Sequence, residues 1–188
     1  MNIDNVYIAL LHHPVYNKRG DIVTTAVTNM DIHDISRAAR SYGVKCFYIV
    51  TPIEKQHQFV KRIIRHWQRG YGVAYNPSRK KAFDIVDIKS SLEDVVEDIS
   101  GKSGRSVHLV TTSATSRGCL TTYEDLKKVI TEDRENYLLV FGTGWGIAEE
   151  VIKGADFLLE PIRGSTDYNH LSVRSAVSIS LDRLFGRR

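Results

Sequence analysis

Proline and sulfur are scarce in this 188-residue chain, which has four prolines, two cysteines and two methionines. So few prolines, beside 42% hydrophobic residues, exclude a disordered or low-complexity chain. Cys46 and Cys119 lie far apart, with no Cys-x-x-Cys and no histidine pair at ligand spacing, so neither a disulfide framework nor a zinc site is signalled. Both thiols are expected in the core of a protein from a reducing compartment. No apolar run reaches the ~18 residues of a membrane span. The opening MNIDNVYIALLHHPV carries an acid where a secretion signal has basic charge. Cytoplasmic residence without membrane contact is therefore expected. Net charge is also small. Twenty-six Lys and Arg against 22 Asp and Glu leave +4, which by itself does not separate a nucleic-acid binder from a small-molecule enzyme.

What is present is an alternation. Short β-rich runs recur as Val6–Leu11, Val44–Val50, Ile85–Ile88, Val107–Thr112, Tyr137–Phe141 and Ala155–Leu159, mostly unbroken and apolar, as suits strands covered on both faces. Helical patterns separate them: Asp31–Ser41, Gln56–Gln68, Ser91–Ile99, Thr122–Ile130, Ile147–Lys153 and a terminal Leu171–Leu184 after a capping-type Ser172. Strand and helix in alternation predict an α/β fold, a mostly parallel, doubly wound sheet whose ligands sit beyond the carboxyl ends of its strands. The segment HHPVYNKRGDIVTTAVTN holds turn residues and predicts a small β-excursion. No repeat or linker interrupts the pattern, so residues 1–188 are expected to form a single domain.

The run LLVFGTGWG carries an apolar strand into Gly142, Gly144 and Gly146. Its spacing is not the Gly-x-Gly-x-x-Gly of a dinucleotide site, and it follows the fifth strand instead of the first. Gly101-Lys102-Ser103 is no phosphate loop either, because Val96 occupies the position of the required earlier glycine. Two readings of the glycines stay open: a tight strand-to-helix turn with positive-φ positions, or a bare main chain against which a ligand lies.

From Lys55 to Lys81 the chain has eight Lys or Arg and no Asp or Glu. Helical spacing turns Arg62, Arg65 and Arg69 away from the apolar stripe of Phe59, Ile63 and Trp67, and Arg79, Lys80 and Lys81 continue the block. This is a candidate RNA surface, with Tyr71 and Tyr75 in a following loop as stacking residues. The competing reading is a solvated face whose charges pair with Glu93, Asp94, Glu97 and Asp98. Arg174, Arg183, Arg187 and Arg188 add charge near the terminus. His12, His13 and Pro14 end the first strand and are candidates for pocket lining, with a structural histidine as the alternative.

The blocks LLVFGTGWGIAEEV, ADFLLEPIRG and YNHLSVRSAVSISLDRLFG, in that order, resemble the three carboxy-terminal motifs of the SPOUT superfamily of RNA methyltransferases. More loosely, HDISRAARSYGV resembles the first motif of that superfamily, and VTTSATSRG the loop after the fourth strand. The resemblance implies a deep C-terminal trefoil knot, S-adenosylmethionine as cofactor and a homodimer that completes the site. It implies transfer of a methyl group to a tRNA or rRNA nucleotide without a metal. A non-catalytic RNA-binding or assembly protein that keeps the fold is the alternative.

Residue by residue, the resemblance places Phe141, Gly142, Thr143 and Gly144 in the loop over the cofactor, with Trp145 and Gly146 starting the next helix. Glu160, Pro161 and Ile162 form a second wall. Leu171, Ser172 and Val173 close a third, and Thr111 and Thr112 border the methionine end. Arg37 matches the arginine of the first motif and is the candidate substrate-side residue, its alternative a surface ion pair with Asp34 or Asp31. Asp31 and His33 depart from that motif, which leaves the methylated atom open. Asp167 and Asn169, with His170, precede the terminal helix as candidates for proton transfer, with helix capping the alternative for Asn169.

Overall fold

All six side chains of β1 (Val6–Leu11) are buried, as an unbroken apolar run at the middle of a two-sided sheet requires. The computed structural model describes residues 3–116 and 118–187, so Arg188 of the terminal cations lies outside the described residues. After β1 come the short β2 (Val15–Tyr16) and β3 (Ile22–Val23), then α1 (Asn29–Ser41), β4 (Cys46–Val50), α2 (Glu54–Arg69), α3 (Tyr71–Tyr75) and α4 (Pro77–Phe83). The chain continues through β5 (Val86–Lys89), α5 (Leu92–Ser103), β6 (Val107–Thr112), α6 (Tyr123–Glu132) and β7 (Asn136–Gly142). It ends with α7 (Glu149–Lys153), β8 (Phe157–Leu159) and α8 (Val173–Phe185).

Six strands form one sheet in the order β5-β4-β1-β7-β6-β8, and every neighbouring pair is parallel. Alternate residues of β1 divide between the two faces. Val6, Ile8 and Leu10 join a core made with α1, α2, α4, α6 and α8, while Tyr7, Ala9 and Leu11 join one made with α5 and residues of α7. This is the doubly wound arrangement expected from the alternation. The predicted β-excursion is the antiparallel pair β2 and β3.

Helix boundaries follow their caps. Thr28, Ser91, Thr122 and Ser172 each accept a hydrogen bond from a backbone N–H of the first turn, which satisfies an otherwise orphaned donor. Ser172 therefore ends the preceding loop, and the terminal helix starts at Val173 instead of Leu171.

Four expectations need correction. Tyr71 and Tyr75 lie on the one-turn helix α3, not in a loop; it forms because Gly72 lets that turn close on the Trp67 ring, where a Cβ would come within 2.7 Å. Phe59 is 42% exposed, because α2 buries only His57 and Val60 fully and its amphipathic stripe stops short of Phe59. Cys119 is exposed in the loop after β6, while Cys46 is half-buried and burial pushes its thiol up to about 12. The acids of α5 do not neutralise the basic block in any ion pair among the described residues. Asp98 instead takes Lys89 and Lys102 and accepts from the Tyr48 hydroxyl, and these bonds overcome its burial and hold its carboxyl well below the usual range. No helix among the described residues is long and apolar enough to cross a membrane.

Candidate functional site

The glycine run leaves the carboxyl end of β7, one of the two central strands of the sheet, and its geometry answers part of the question its spacing raises. Gly144 and Gly146 have φ of 60° and 111°, conformations that side-chain-bearing residues rarely adopt. Crowding adds a second reason at two positions. A Cβ on Gly142 would stand 2.6 Å from Cγ1 of Ile147, and one on Gly144 2.8 Å from the carbonyl oxygen of Tyr16.

The β2 strand is the close neighbour. The Trp145 N–H donates to the Tyr16 carbonyl at 2.8 Å, the Tyr16 N–H donates to the Gly146 carbonyl at 2.9 Å, and the Ala148 N–H reaches the Pro14 carbonyl. Part of the bare main chain thus serves the fold. Nothing lies within 4 Å of where a Cβ of Gly146 would stand, and Trp145 beside it is 62% exposed, so the outer side of the turn is open.

The second candidate wall stands at the same edge, and the segment leading into the third is tied to the loop after β6 by Asn169. Thr111 pairs with Val140 of β7 and with Leu158 of β8, which sets the ends of the three strands side by side. Thr111 is fully buried, and the Thr112 hydroxyl donates to the Val140 carbonyl at 3.0 Å. After β8, the Glu160 N–H bonds to the Thr121 carbonyl, while its carboxylate accepts from the Tyr123 N–H at the start of α6. Pro161 is buried and Ile162 packs on the core. Leu171 and Ser172 are exposed at the head of α8, and Val173 is half-buried.

A polar chain connects these parts beneath the surface. The Thr143 hydroxyl donates to the Leu11 carbonyl and meets the Thr25 hydroxyl, which in turn meets Nδ1 of His12 at 3.0 Å. Because the carbonyl only accepts, the donors run outward from His12, whose Nε2 is left as a bare lone pair with no partner among the described residues. Burial lowers the His12 pKa to about 4, so the ring is neutral at pH 7. His12 is fully buried and lines no open surface; it is structural, and His13 is held by Thr24 and the Val23 carbonyl.

The catalytic candidates divide. Arg37 is exposed, with its guanidinium 3.9 Å from Asp34, the surface pairing foreseen as its alternative. Asn169 does not cap α8; its Nδ2 donates to the Ala114 carbonyl at 2.7 Å and so ties the segment before α8 to the loop after β6. Asp167 is exposed, and His170 has the Tyr168 ring edge-on at 5.4 Å. Sequence reasoning missed Thr25, which carried no motif, and the part played by Arg174. Its guanidinium spans Asp31 and Asp34 and joins the heads of α8 and α1.

The basic block lies on α2 and α4. Arg62, Arg65 and Arg69 are exposed and in no ion pair among the described residues, Lys81 is exposed, and Lys80 reaches Asp84 at 3.9 Å. Arg79 is turned inward. Its guanidinium lies 5.1 Å from the Trp67 ring centre and donates to Nδ1 of His33 at 2.8 Å. Trp67 is part of the apolar stripe, as expected, stacked on Phe83. The Tyr71 and Tyr75 rings stack on each other with 78% and 74% of their area exposed.

No group of three or more His, Cys, Asp or Glu side chains among the described residues is arranged to hold a metal ion. A family model described as SAM-dependent RNA methyltransferase, where SAM is S-adenosylmethionine, matches residues 5–186. An uncharacterized protein of Aquifex aeolicus (strain VF5) is 44% identical over 98% of this chain and 90% of its own length. A tRNA (guanine-N(1)-)-methyltransferase of Oleidesulfovibrio alaskensis is 41% identical over 97% of this chain. The match spans only 42% of that enzyme, so the activity in its name belongs to a much longer protein. Among solved structures, the SpoU methyltransferase AviRb of Streptomyces viridochromogenes, in complex with AdoMet, shares the fold. Its TM-score is 0.56 at 16% identity, covering 96% of this chain and 56% of the other.

Proposed function

The chain belongs to the family of SAM-dependent RNA methyltransferases, and from that premise we propose that it methylates a nucleotide of tRNA, with the donor held at the carboxyl ends of β6, β7 and β8. The observation that carries this reading is the gathering of the three motif segments, 141–146, 160–162 and 171–173, around one sheet edge. The parallel pairing of three strand ends sets the first two side by side, and the Asn169–Ala114 hydrogen bond ties the run-up to the third to the loop after β6.

The residues fit the donor. Exposed Trp145 and Leu171 offer apolar surface to a flat base, the open side of Gly146 leaves the main chain accessible, and backbone N–H and C=O groups match an adenine edge without a charged side chain. When bound, SAM supplies a methyl group already activated on a sulfonium. The protein's task is to align the RNA nucleophile and accept its proton.

Asp167 and Asn169 lie in the segment that leads into the third wall and are the residues assigned to the substrate side, with Arg37 on α1 placed for a phosphate or hydroxyl. Arg62, Arg65, Arg69, Lys80 and Lys81 are assigned to the RNA backbone, while Arg79, turned inward, supports that face by fixing Trp67. Residues 1–188 act as one domain, in a homodimer whose second copy completes the site. A trefoil crossing of the C-terminal segment and the loop after β6 belongs to the same reading, and the Asn169–Ala114 and Arg163–Ser116 hydrogen bonds put the two segments in contact, as it requires. tRNA is favoured over rRNA by the name of the longer relative.

Two measurements test the reading together: calorimetry with SAM, and mass spectrometry of tRNA and rRNA nucleosides from cells with and without the protein. Binding of SAM and loss of one methylated tRNA nucleoside are expected. SAM binding with no change in any nucleoside favours the non-catalytic RNA-binding alternative, and absence of SAM binding defeats the methyltransferase reading.

A further inference from the structure

A cleft of about 430 Å³ opens between α1 and α2, on the side of α1 away from Arg174, and none of the three carboxy-terminal motifs accounts for it. Its floor is Trp67, and its walls are Phe59 and Ile63 from α2 and Asn29 and His33 from α1. Arg62 and His66 stand at its rim. We propose that this cleft receives an unpaired nucleobase of the RNA substrate next to the methylated nucleotide, with the flanking phosphates on the arginines of α2; the inference rests on the RNA methyltransferase reading above.

Four observations carry it. The floor is rigid: Trp67 stacks on Phe83 at 6.0 Å, the His33 ring meets both edge-on, and Arg79 lies against the indole. A fixed aromatic surface binds a base at low entropic cost, and every base has a face to stack. Second, the walls carry hydrogen-bonding groups of both kinds. The Asn29 amide donates and accepts, and because Arg79 donates to Nδ1 of His33, that ring keeps its proton on Nε2 as a further donor.

Third, the surroundings are positive and unneutralised. Lys55 to Lys81 contains no acid, and no ion pair among the described residues involves Arg62, Arg65 or Arg69. Fourth, the cleft and the candidate donor site flank the same helix. Asn29 and His33 of α1 face the cleft, while Asp31 and Asp34, on its other side, meet Arg174 at the head of α8. A strand crossing the start of α1 therefore reaches both. By its apolar character the exposed Phe59 also suits a second copy of the chain, but a two-fold interface sets a patch against itself and would bring these arginines together.

The test uses the full chain with unmodified tRNA. Phe59 is exposed enough to change without disturbing the core. Phe59→Ala is expected to weaken tRNA binding about tenfold with an unchanged salt dependence, and Phe59→Trp to restore it, as loss and recovery of one stacked base require. Arg62→Ala is expected to lower the slope of log affinity against log salt by about 0.7 to 0.9. Affinity of Phe59→Ala within twofold of the parent overturns the cleft, as does a change of oligomeric state in sedimentation, which would make this face an interface between copies. SAM calorimetry and methyl transfer on the same samples separate the two readings. A parent that methylates tRNA regardless of Phe59 refutes only the cleft. A parent that binds tRNA through Phe59 but never transfers a methyl group refutes only the enzyme.

Discussion

The guanidinium of Arg174 stands 3.7 Å from the carboxylate of Asp31 and 3.8 Å from that of Asp34, so the first turn of α8 is anchored to the first two turns of α1. Asp31 is 13% exposed and also accepts from the Thr28 hydroxyl at 2.6 Å, which fixes its carboxylate. Ser172 and Val173, the third candidate wall, are the residues immediately before Arg174. The bridge therefore sets where that wall stands.

Arg174→Ala and Asp31→Asn are each expected to lower SAM affinity and stability. In a double-mutant cycle by urea unfolding their effects should fall short of additive by about 1 kcal/mol, because both remove one partly buried contact. Full additivity would show that α8 is held by packing alone.

Two neighbouring glycines should respond differently. Gly146→Ala meets open space and is expected to cost about 1–2 kcal/mol for the positive φ alone. Gly144→Ala adds a collision with the Tyr16 carbonyl, so it should cost roughly 1–3 kcal/mol more and displace β2. Amide-exchange protection of Tyr16 and Trp145 is the readout: lost in Gly144→Ala, retained in Gly146→Ala.

His12 ties stability to pH. Its folded pKa, about 4, lies below the ordinary 6.5, so between those values the unfolded chain binds more protons and stability rises with pH. The contribution is complete above about pH 6.5 and is lost as pH falls toward 4. Between pH 7.5 and 5 it amounts to about 2 kcal/mol. His12→Gln is expected to remove that part of the pH dependence, read by urea midpoints at the two values; an identical dependence in the variant would place the titration elsewhere.

Removing the charges of Arg65 and Arg69 together is expected to reduce the salt slope of tRNA binding by about 1.4 to 1.8, with SAM affinity unchanged. Both side chains are exposed on α2, remote in the chain from all three motif segments. A parallel loss of SAM affinity would show instead that α2 shapes the donor site.

The sheet was legible because burial on two faces demands unbroken apolar runs, and β1 and β6 have the predicted limits. The candidate walls were marked by the resemblance of their segments alone, and the structure adds that the strand ends carrying two of them lie side by side. Helices α3 and α4 were not. The run Tyr71–Phe83 has no clear period, and those turns form because the Trp67 ring and Phe83 give them a surface to close on.

By itself the order of apolar runs, caps and glycines determined which segments become the strands of the large sheet and which become helices, α3 and α4 apart. It also determined that Gly144 and Gly146 would turn sharply, since local sterics act over a few residues. Only the tertiary structure decided what those turns meet. That the Tyr16 carbonyl occupies the place of a Gly144 side chain, that Thr25 joins His12 to Thr143, and that Arg174 reaches Asp31 are contacts between segments far apart in the chain. Such contacts form because strands pair side by side in an order different from their order in sequence, and no local pattern carries that information.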